Sequence, residues 1–352
     1  MLVDGHLDLA YNAIHLGRDL VAGVAAIRAA EPTPNPGIGV ATVGLPELQA
    51  GEFGLVFATL FTMPDHTIGS DLPNELVYHT PEEAHAQARA QLGYYLDWEA
   101  RGLARIIRSR ADLADHRATW NRGDRMLGLV LLMENADPIT TPAETAWWAA
   151  QGVRMVGPAW QATRYCGGTR RPGPLTDLGR QLLPAMAEAG MILDLSHMAE
   201  ESFWQALEQW HGPVIASHSN CRNLVAERMS DRHLSPAMIR AIIERDGIIG
   251  TVLFNGFLSA DYRQNSPKAA YGLDLAVRHI QQICDLAGTT RHCAIGSDLD
   301  GGLGREQIPR ELDTVADLPQ LAEALSDAGF GDADIHGMMG HNWLRLLERA
   351  LP

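Results

Sequence analysis

The sequence predicts an α/β chain that closes as a (β/α)8 TIM barrel with long loops at the C-terminal face of its strands. Three observations lead there. Eight short apolar, β-branched runs alternate with longer amphipathic stretches, and such alternation implies a parallel sheet with crossover helices. Several amphipathic stretches carry helix-start signals. Long Gly-, Pro- and polar-rich segments mostly follow the strand candidates directly, where a barrel of this kind carries its functional loops. A doubly wound open sheet is the alternative that periodicity alone leaves open.

In chain order the strand candidates are Leu2–Asp8, Gly54–Thr62, Met126–Met133, Val153–Pro158, Met191–Ser196, Pro213–Ser217, Ile248–Phe254 and Cys293–Ser297. Thr80-Pro81-Glu82-Glu83 opens a helix with a Thr cap, Pro at the first position and Glu three residues after the cap. Thr141-Pro142-Ala143-Glu144 repeats the arrangement, and Ser235-Pro236 opens a helix that Gly247 closes. The irregular segments are Glu31–Gly39, Met63–His79, Gln161–Leu175, Leu258–Gly272 and Gly301–Asp313, of which the last four follow a strand candidate. No internal repeat, charge block or linker divides the sequence, so residues 1–352 read as one domain.

Composition narrows the function. With 46% hydrophobic residues a sizeable core is available. The 28 basic residues against 43 acidic ones leave a formal net charge of -15, which argues against nucleic acid and anionic membranes as partners. No apolar run approaches the ~20 residues that cross a bilayer. The N-terminus, MLVDGHLDLA, has neither a basic region nor a cleavable apolar segment. Cys166, Cys221, Cys284 and Cys293 form no CxxC pair and no disulfide framework. The expectation is a soluble cytoplasmic protein. Only one lysine is present, Lys268, so any chemistry needing a strand-end lysine has a single candidate.

The acidic and histidine residues fall at particular places. His6 and Asp8 end the first strand as H-x-D, and residues two apart on a strand share a face. Glu134 ends the third strand, His197 the fifth, His218 the sixth and Asp298 the eighth. Each alone reads as a hydrogen-bonded structural residue. Six together, on strands otherwise apolar, point to paired or metal-bound groups, because buried ionisable side chains need a partner. Three histidines with Asp and Glu form a first-row metal set that suits zinc. Five ligands exceed one tetrahedral ion with an open position and suit two ions sharing a carboxylate.

These residues lie in the stretches VDGHLDLA, GLPELQAGEFGLVFATLFT, LLMEN, GPLTDLGRQLLPAMAEAGMILDLSHMAEESFWQALE, PVIASHSN, GIIGTVLFNGFLS, IGSDLDGG and GMMGHNWLRLL. Their order and spacing, over nearly the whole chain, resemble the renal (membrane) dipeptidase family of the amidohydrolase superfamily. The resemblance implies a binuclear zinc-dependent dipeptidase. His6 and Asp8 would bind one zinc, His197 and His218 the other, and Glu134 would bridge. The lysine count agrees: related hydrolases bridge with a carbamylated strand-end lysine, whereas Lys268 lies in the loop SADYRQNSPKAAYG. A water bridging two zinc ions has its pKa lowered toward ~7 or below, so hydroxide attacks the amide carbonyl. Asp298 takes the proton and returns it to the leaving amine. Asp300 reads as a loop residue behind the site. By the same resemblance an arginine pairs with the substrate's terminal carboxylate. Arg228 in AERMSDRHL is the match, with Asp231 and Leu234 falling into place, and Arg232 is the alternative. Members of this family often form homodimers.

The sequence departs from the family near the end of the fourth strand. The family carries a histidine there that helps hold the scissile carbonyl; this chain has Trp160 in RMVGPAWQATRYCGG. Its indole N–H donates one hydrogen bond but accepts no proton, and losing one oxyanion donor costs about 100–1000-fold in rate unless replaced. Gln161, Arg164 or Tyr165 stands close enough in sequence to compensate, and Tyr165 and Trp160 join the substrate-binding candidates. Trp160 also opens a second reading, the same metal barrel acting on a non-dipeptide amide or a lactone. A third is a barrel without catalysis, which the intact ligand set disfavours. His341 and Trp343 read as packing, as do Trp147 and Trp148. His66, His79, His85 and His116 read as surface. No G-x-S-x-G elbow accompanies the serines beside the histidines, which excludes the usual serine hydrolase pattern.

Overall fold

The computed structural model of the chain describes residues 1–31, 38–65, 76–225, 231–263 and 266–352. Eight parallel strands form the barrel: β1 (Leu2–Leu7), β2 (Phe53–Phe61), β3 (Leu127–Glu134), β4 (Val153–Gly157), β5 (Ile192–Asp194), β6 (Val214–Ala216), β7 (Ile248–Thr251) and β8 (Cys293–Ile295). They pair around the ring in chain order, and β8 returns to β1 through Asp4 and Ile295. The longest seam joins β2 to β3, in register from Leu55 opposite Gly128 to Phe61 opposite Glu134. A short extra strand, Ala104–Ile106, pairs with the start of β3. All eight expected strands are therefore present and closed, and the open-sheet alternative falls.

Strands in such a barrel are covered on both faces, which is why runs such as LVLLM are apolar throughout. Alternate residues divide into two layers. Val3, Phe57, Leu132, Met155, Ile192, Ile215 and Ile248 fill the barrel interior, where Trp343 joins them. That indole packs edge-on against Phe57, with centroids 4.8 Å apart, and donates to the Ile295 carbonyl. The intervening residues, among them Val56, Leu131, Leu193 and Ile249, meet the surrounding helices.

Helix starts follow local chemistry in most cases. Thr80 caps helix Pro81–Ala100 with the reciprocal Thr80–Glu83 bonds, and Ser235 caps Pro236–Glu244 by accepting from the Met238 N–H. Two expectations fail. Thr141 makes no side-chain cap; Glu144 turns back to Thr140 instead, and one tight turn precedes helix Thr145–Ala150. The Pro236 helix ends before Gly247, with Asp246 rather than the glycine in the left-handed conformation. His116 is buried, not surface, because its ring bonds the Gly54 carbonyl. His341 is exposed, unlike its packed neighbour Trp343. His66 lies outside the described residues. Among the described residues no helix is long and apolar enough to cross a membrane.

Candidate metal centre and active site

All six strand-end residues meet at the C-terminal mouth of the barrel. Glu134, the last residue of β3, stands between two groups of nitrogen donors. Its Oε1 lies 3.2 Å from His197 Nε2 and 3.3 Å from His218 Nε2, while Oε2 lies 3.2 Å from His6 Nε2. Asp8 Oδ1 is 3.8 Å and Asp298 Oδ1 3.9 Å from the same His6 nitrogen. The His6 and His218 rings stack with centroids 3.6 Å apart. Three overlapping ligand groups result: His6 with Asp8 and Glu134; Glu134 with His197 and His218; and His6 with His218 and Asp298.

The backbone makes this convergence possible. His197, Asp298 and Asp300 have φ near +60°, and Asn135, directly after Glu134, has φ of 73°. Asn, Asp and His tolerate this left-handed region better than most residues. It lets the chain turn sharply at the strand exit while the side chain stays over the barrel.

A shell of hydroxyls and carboxylates fixes the imidazoles. Buried Asp194, ending β5, accepts the Ser196 and Ser217 N–H groups at 3.0 and 2.9 Å and the Ser217 hydroxyl at 2.5 Å. The same Ser217 oxygen lies 2.8 Å from His218 Nδ1 and 3.4 Å from His6 Nδ1. Because its proton goes to Asp194, Ser217 accepts from both rings. Asp4, in β1, repeats the pattern with the His6 and Ser297 N–H groups and the Ser297 hydroxyl. Thr59 donates to Asp8, and Thr169 bonds His197 Nδ1 at 3.0 Å. Glycine lets the barrel accommodate Ser217: a Cβ on Gly250 or Gly296 would fall about 2.0 or 1.9 Å from its carbonyl oxygen.

Charge at the centre is strongly coupled. Burial disfavours a charged His6, yet Glu134, Asp8 and Asp298 together raise its pKa to about 10. Burial would raise Glu134, but the His6 charge and the close approach of the His197, His218 and His6 imidazoles hold it well below the carboxylate range. Burial, then the Arg232 charge, takes His197 down to about 4, and burial, then the His6 charge, holds His218 well below its ordinary value. Burial, then Glu134, raises Asp8 to about 6, and burial lifts Asp298 well above its ordinary range.

These residues fit metal ions. His6 Nε2 is buried without a hydrogen-bond partner. His197 and His218 turn their Nε2 atoms toward each other at 3.0 Å, while Thr169 and Ser217 occupy their Nδ1 atoms. Two nitrogens so close share at most one proton, so a lone pair faces the centre. Imidazole and carboxylate donors of this kind suit zinc and its neighbours.

A cavity of about 230 Å³ opens over the centre. Trp160 lines it, its ring 6.1 Å from His197 and 5.2 Å from Phe61, and buried Gln161 joins it. Tyr165 does not reach it: the ring is fully buried and the hydroxyl is given to the Ile139 carbonyl. Arg164 binds Asp137 and the Thr140 carbonyl instead. Arg228 lies outside the described residues. Arg232 does line the cavity, buried, with one nitrogen on the His218 carbonyl at 2.7 Å and its Nε unpartnered. Asp300 stands behind the site, holding the Thr42 and Val43 N–H groups and pairing with Arg18 at 3.2 Å.

Sequence reasoning missed Thr169, Tyr11, Phe61 and Phe257. Thr169 sits at the tip of a ribbon, Cys166–Gly168 against Arg171–Leu175, inside a segment read as irregular. Its signal was the glycine pair Gly167-Gly168: a Cβ on Gly168 would fall 2.4 Å from the Gln161 carbonyl. The aromatic residues carried a weaker one, their place at or shortly past strand ends.

Comparisons with known proteins agree with this geometry. Residues 1–351 match a family profile described as membrane dipeptidase, Peptidase family M19. An uncharacterized protein in the pqqA 5′ region of Klebsiella pneumoniae is 33% identical over 258 residues, covering 70% of this chain and 89% of that protein. An uncharacterized dipeptidase of Schizosaccharomyces pombe is 28% identical over 179 residues, 51% of this chain and 41% of that one. A solved metallo peptidase from Rhodobacter sphaeroides, liganded with a phosphinate mimic of the dipeptide L-Ala-D-Ala, superposes with a TM-score of 0.80 at 25% identity, covering 99% of both chains. The solved dipeptidase AC, a metallo peptidase of family M19, superposes at 0.79 with 26% identity, over 99% of this chain and 98% of that one.

Proposed function

Since the chain belongs to the membrane dipeptidase family, Peptidase family M19, we propose that it is a binuclear zinc enzyme hydrolysing the amide bond of dipeptides. The observation that carries this reading is the Glu134 carboxylate, one oxygen facing His197 and His218 and the other facing His6. His6 and Asp8 would hold one ion, His197 and His218 the other, with Glu134 between them. Zinc held there would supply an acidified water and polarise the scissile carbonyl. Asp298, at the cavity and within reach of His6, is the group that takes the nucleophile's proton and hands it to the departing amine. Of the two arginine candidates for the substrate carboxylate, Arg228 lies outside the described residues, and Arg232 is taken for the role, its buried guanidinium lining the cavity with its Nε unpartnered. Its fork matches a carboxylate.

Residues 1–352 act as one domain in this reading, supported by a barrel that starts at Leu2 and a final helix, Asn342–Ala350, that returns Trp343 to its interior. The cytoplasmic setting fits four free thiols. Homodimer formation is carried over from the family resemblance, and light scattering tests it.

The deciding experiment is hydrolysis of a dipeptide panel by zinc-replete protein, with metal analysis and a chelator arm. Expected are about two zinc ions per chain and turnover that the chelator abolishes. Dipeptides come first because the Rhodobacter sphaeroides relative holds a dipeptide mimic. One observation favours a second reading: Trp160 stands beside His197 where the family resemblance implies a histidine. Silence across the panel from protein holding both ions would refute the dipeptidase reading and move the search to lactones and other amides.

A further inference from the structure

The barrel strands follow one another around the ring in chain order, so exits four strands apart lie across the mouth. Phe61 ends β2, and Arg232 belongs to the loop after β6. They therefore stand on opposite sides of the metal centre. Around Phe61 the wall is aromatic. Tyr11 meets it edge-on at 5.0 Å and Trp160 at 5.2 Å, with interplanar angles of 62° and 63°. Met63 completes this side of the cavity. Across the mouth, Arg232 is held against the Phe257 ring, 5.3 Å from its centroid.

We infer that the wall of Tyr11, Phe61, Met63 and Trp160 selects an aromatic or large aliphatic side chain on the N-terminal residue of the dipeptide. This rests on the dipeptidase reading above. With the C-terminal carboxylate on Arg232 and the scissile amide over the centre, the N-terminal half has the aromatic side left to it. A ring there removes apolar surface from water and makes the edge contacts that aromatic pairs favour. A carboxylate or ammonium on that side chain would lose hydration against a wall whose polar atoms are only the Tyr11 hydroxyl and the Trp160 indole N–H. An N-terminal alanine leaves the wall wet.

Two dipeptide series test this on the zinc-loaded enzyme, X-Ala and Ala-X, with X as Gly, Ala, Leu, Phe, Glu or Lys. In X-Ala, kcat/KM for Phe and Leu should exceed that for Ala by about 10- to 100-fold, from the side-chain area buried, with Glu and Lys lowest. The Ala-X series should spread far less. Trp160→Ala and the milder Phe61→Leu should each shrink the Phe-to-Ala ratio, chiefly through KM, with zinc content unchanged. Equal rates for Phe-Ala and Ala-Ala, or a spread that moves to the C-terminal position, would overturn the inference and leave the dipeptidase reading standing. Absence of chelator-sensitive turnover on any dipeptide would overturn both.

Discussion

Ser217→Ala probes the proposed metal centre without touching a proposed ligand. The hydroxyl has four contacts: 2.5 Å to Asp194, 2.8 Å to His218 Nδ1, 3.3 Å to the Ser196 hydroxyl and 3.4 Å to His6 Nδ1. By accepting from both rings it favours protonated Nδ1 atoms, so that the Nε2 atoms are the ones left to face a metal beside Glu134. Removing it strips buried Asp194 of one of three donors. A hydrogen bond to a charged group contributes about 1.5–3 kcal/mol, and we expect a stability loss near the middle of that range. The orphaned Nδ1–H groups free both rings to rotate or change tautomer. Loss of such a supporting bond typically costs about 10–100-fold in metal affinity. Zinc competition against chelators of graded affinity reads the second effect, and urea unfolding reads the first. Ser297→Ala is the control, because Ser297 serves Asp4 as Ser217 serves Asp194 but bonds no imidazole. It should lose stability and keep zinc. Wild-type zinc affinity in Ser217→Ala, or an equal loss in Ser297→Ala, would refute the argument.

Three further outcomes follow from the structure. Asp298→Asn should keep the metal and lose about 100–10,000-fold in kcat, the usual reach of a positioned acid–base group; metal analysis beside steady-state kinetics checks both. Gly296→Ala should destabilise by about 1–3 kcal/mol, an overpacking cost, since the new methyl meets the Ser217 carbonyl; a thermal melt no lower than wild type would contradict this. The bidentate Glu99–Arg108 pair, with bonds of 2.8 and 2.7 Å, lowers the Glu99 pKa through those hydrogen bonds, against burial. A lowered folded pKa stabilises above the ordinary glutamate value of 4.5 and stops doing so as pH falls through the folded one. Stability curves for wild type and Glu99→Gln should accordingly separate above that value and converge in acid.

The candidate centre was legible because its ionisable residues end strands. An ionisable residue closing an apolar run has few reasons to be there, and the strand count brings such residues to one mouth. Loops gave less. Choosing between Arg228 and Arg232 depended on the length of a connection, which apolar spacing does not fix. Tyr165 looked available beside Trp160, yet the Ile139 carbonyl turned its hydroxyl inward. His116 seemed exposed on a polar helix, but the adjoining strand offered the Gly54 carbonyl. The aromatic wall joins residues from the exits of β1, β2 and β4, a proximity created by barrel closure.

The left-handed turns at His197, Asp298 and Asn135 bear on how this centre can evolve. Their backbone shape admits few residue types comfortably, chiefly Gly, Asn, Asp and His, and two of these types, Asp and His, can donate to a metal. Drift at position 197 is therefore channelled toward exchanging a nitrogen for an oxygen donor, and drift at 298 toward another small polar group at the proton-transfer position, with β-branched replacements barred by conformation before chemistry is considered. Libraries seeking a different metal preference should sample that short alphabet first.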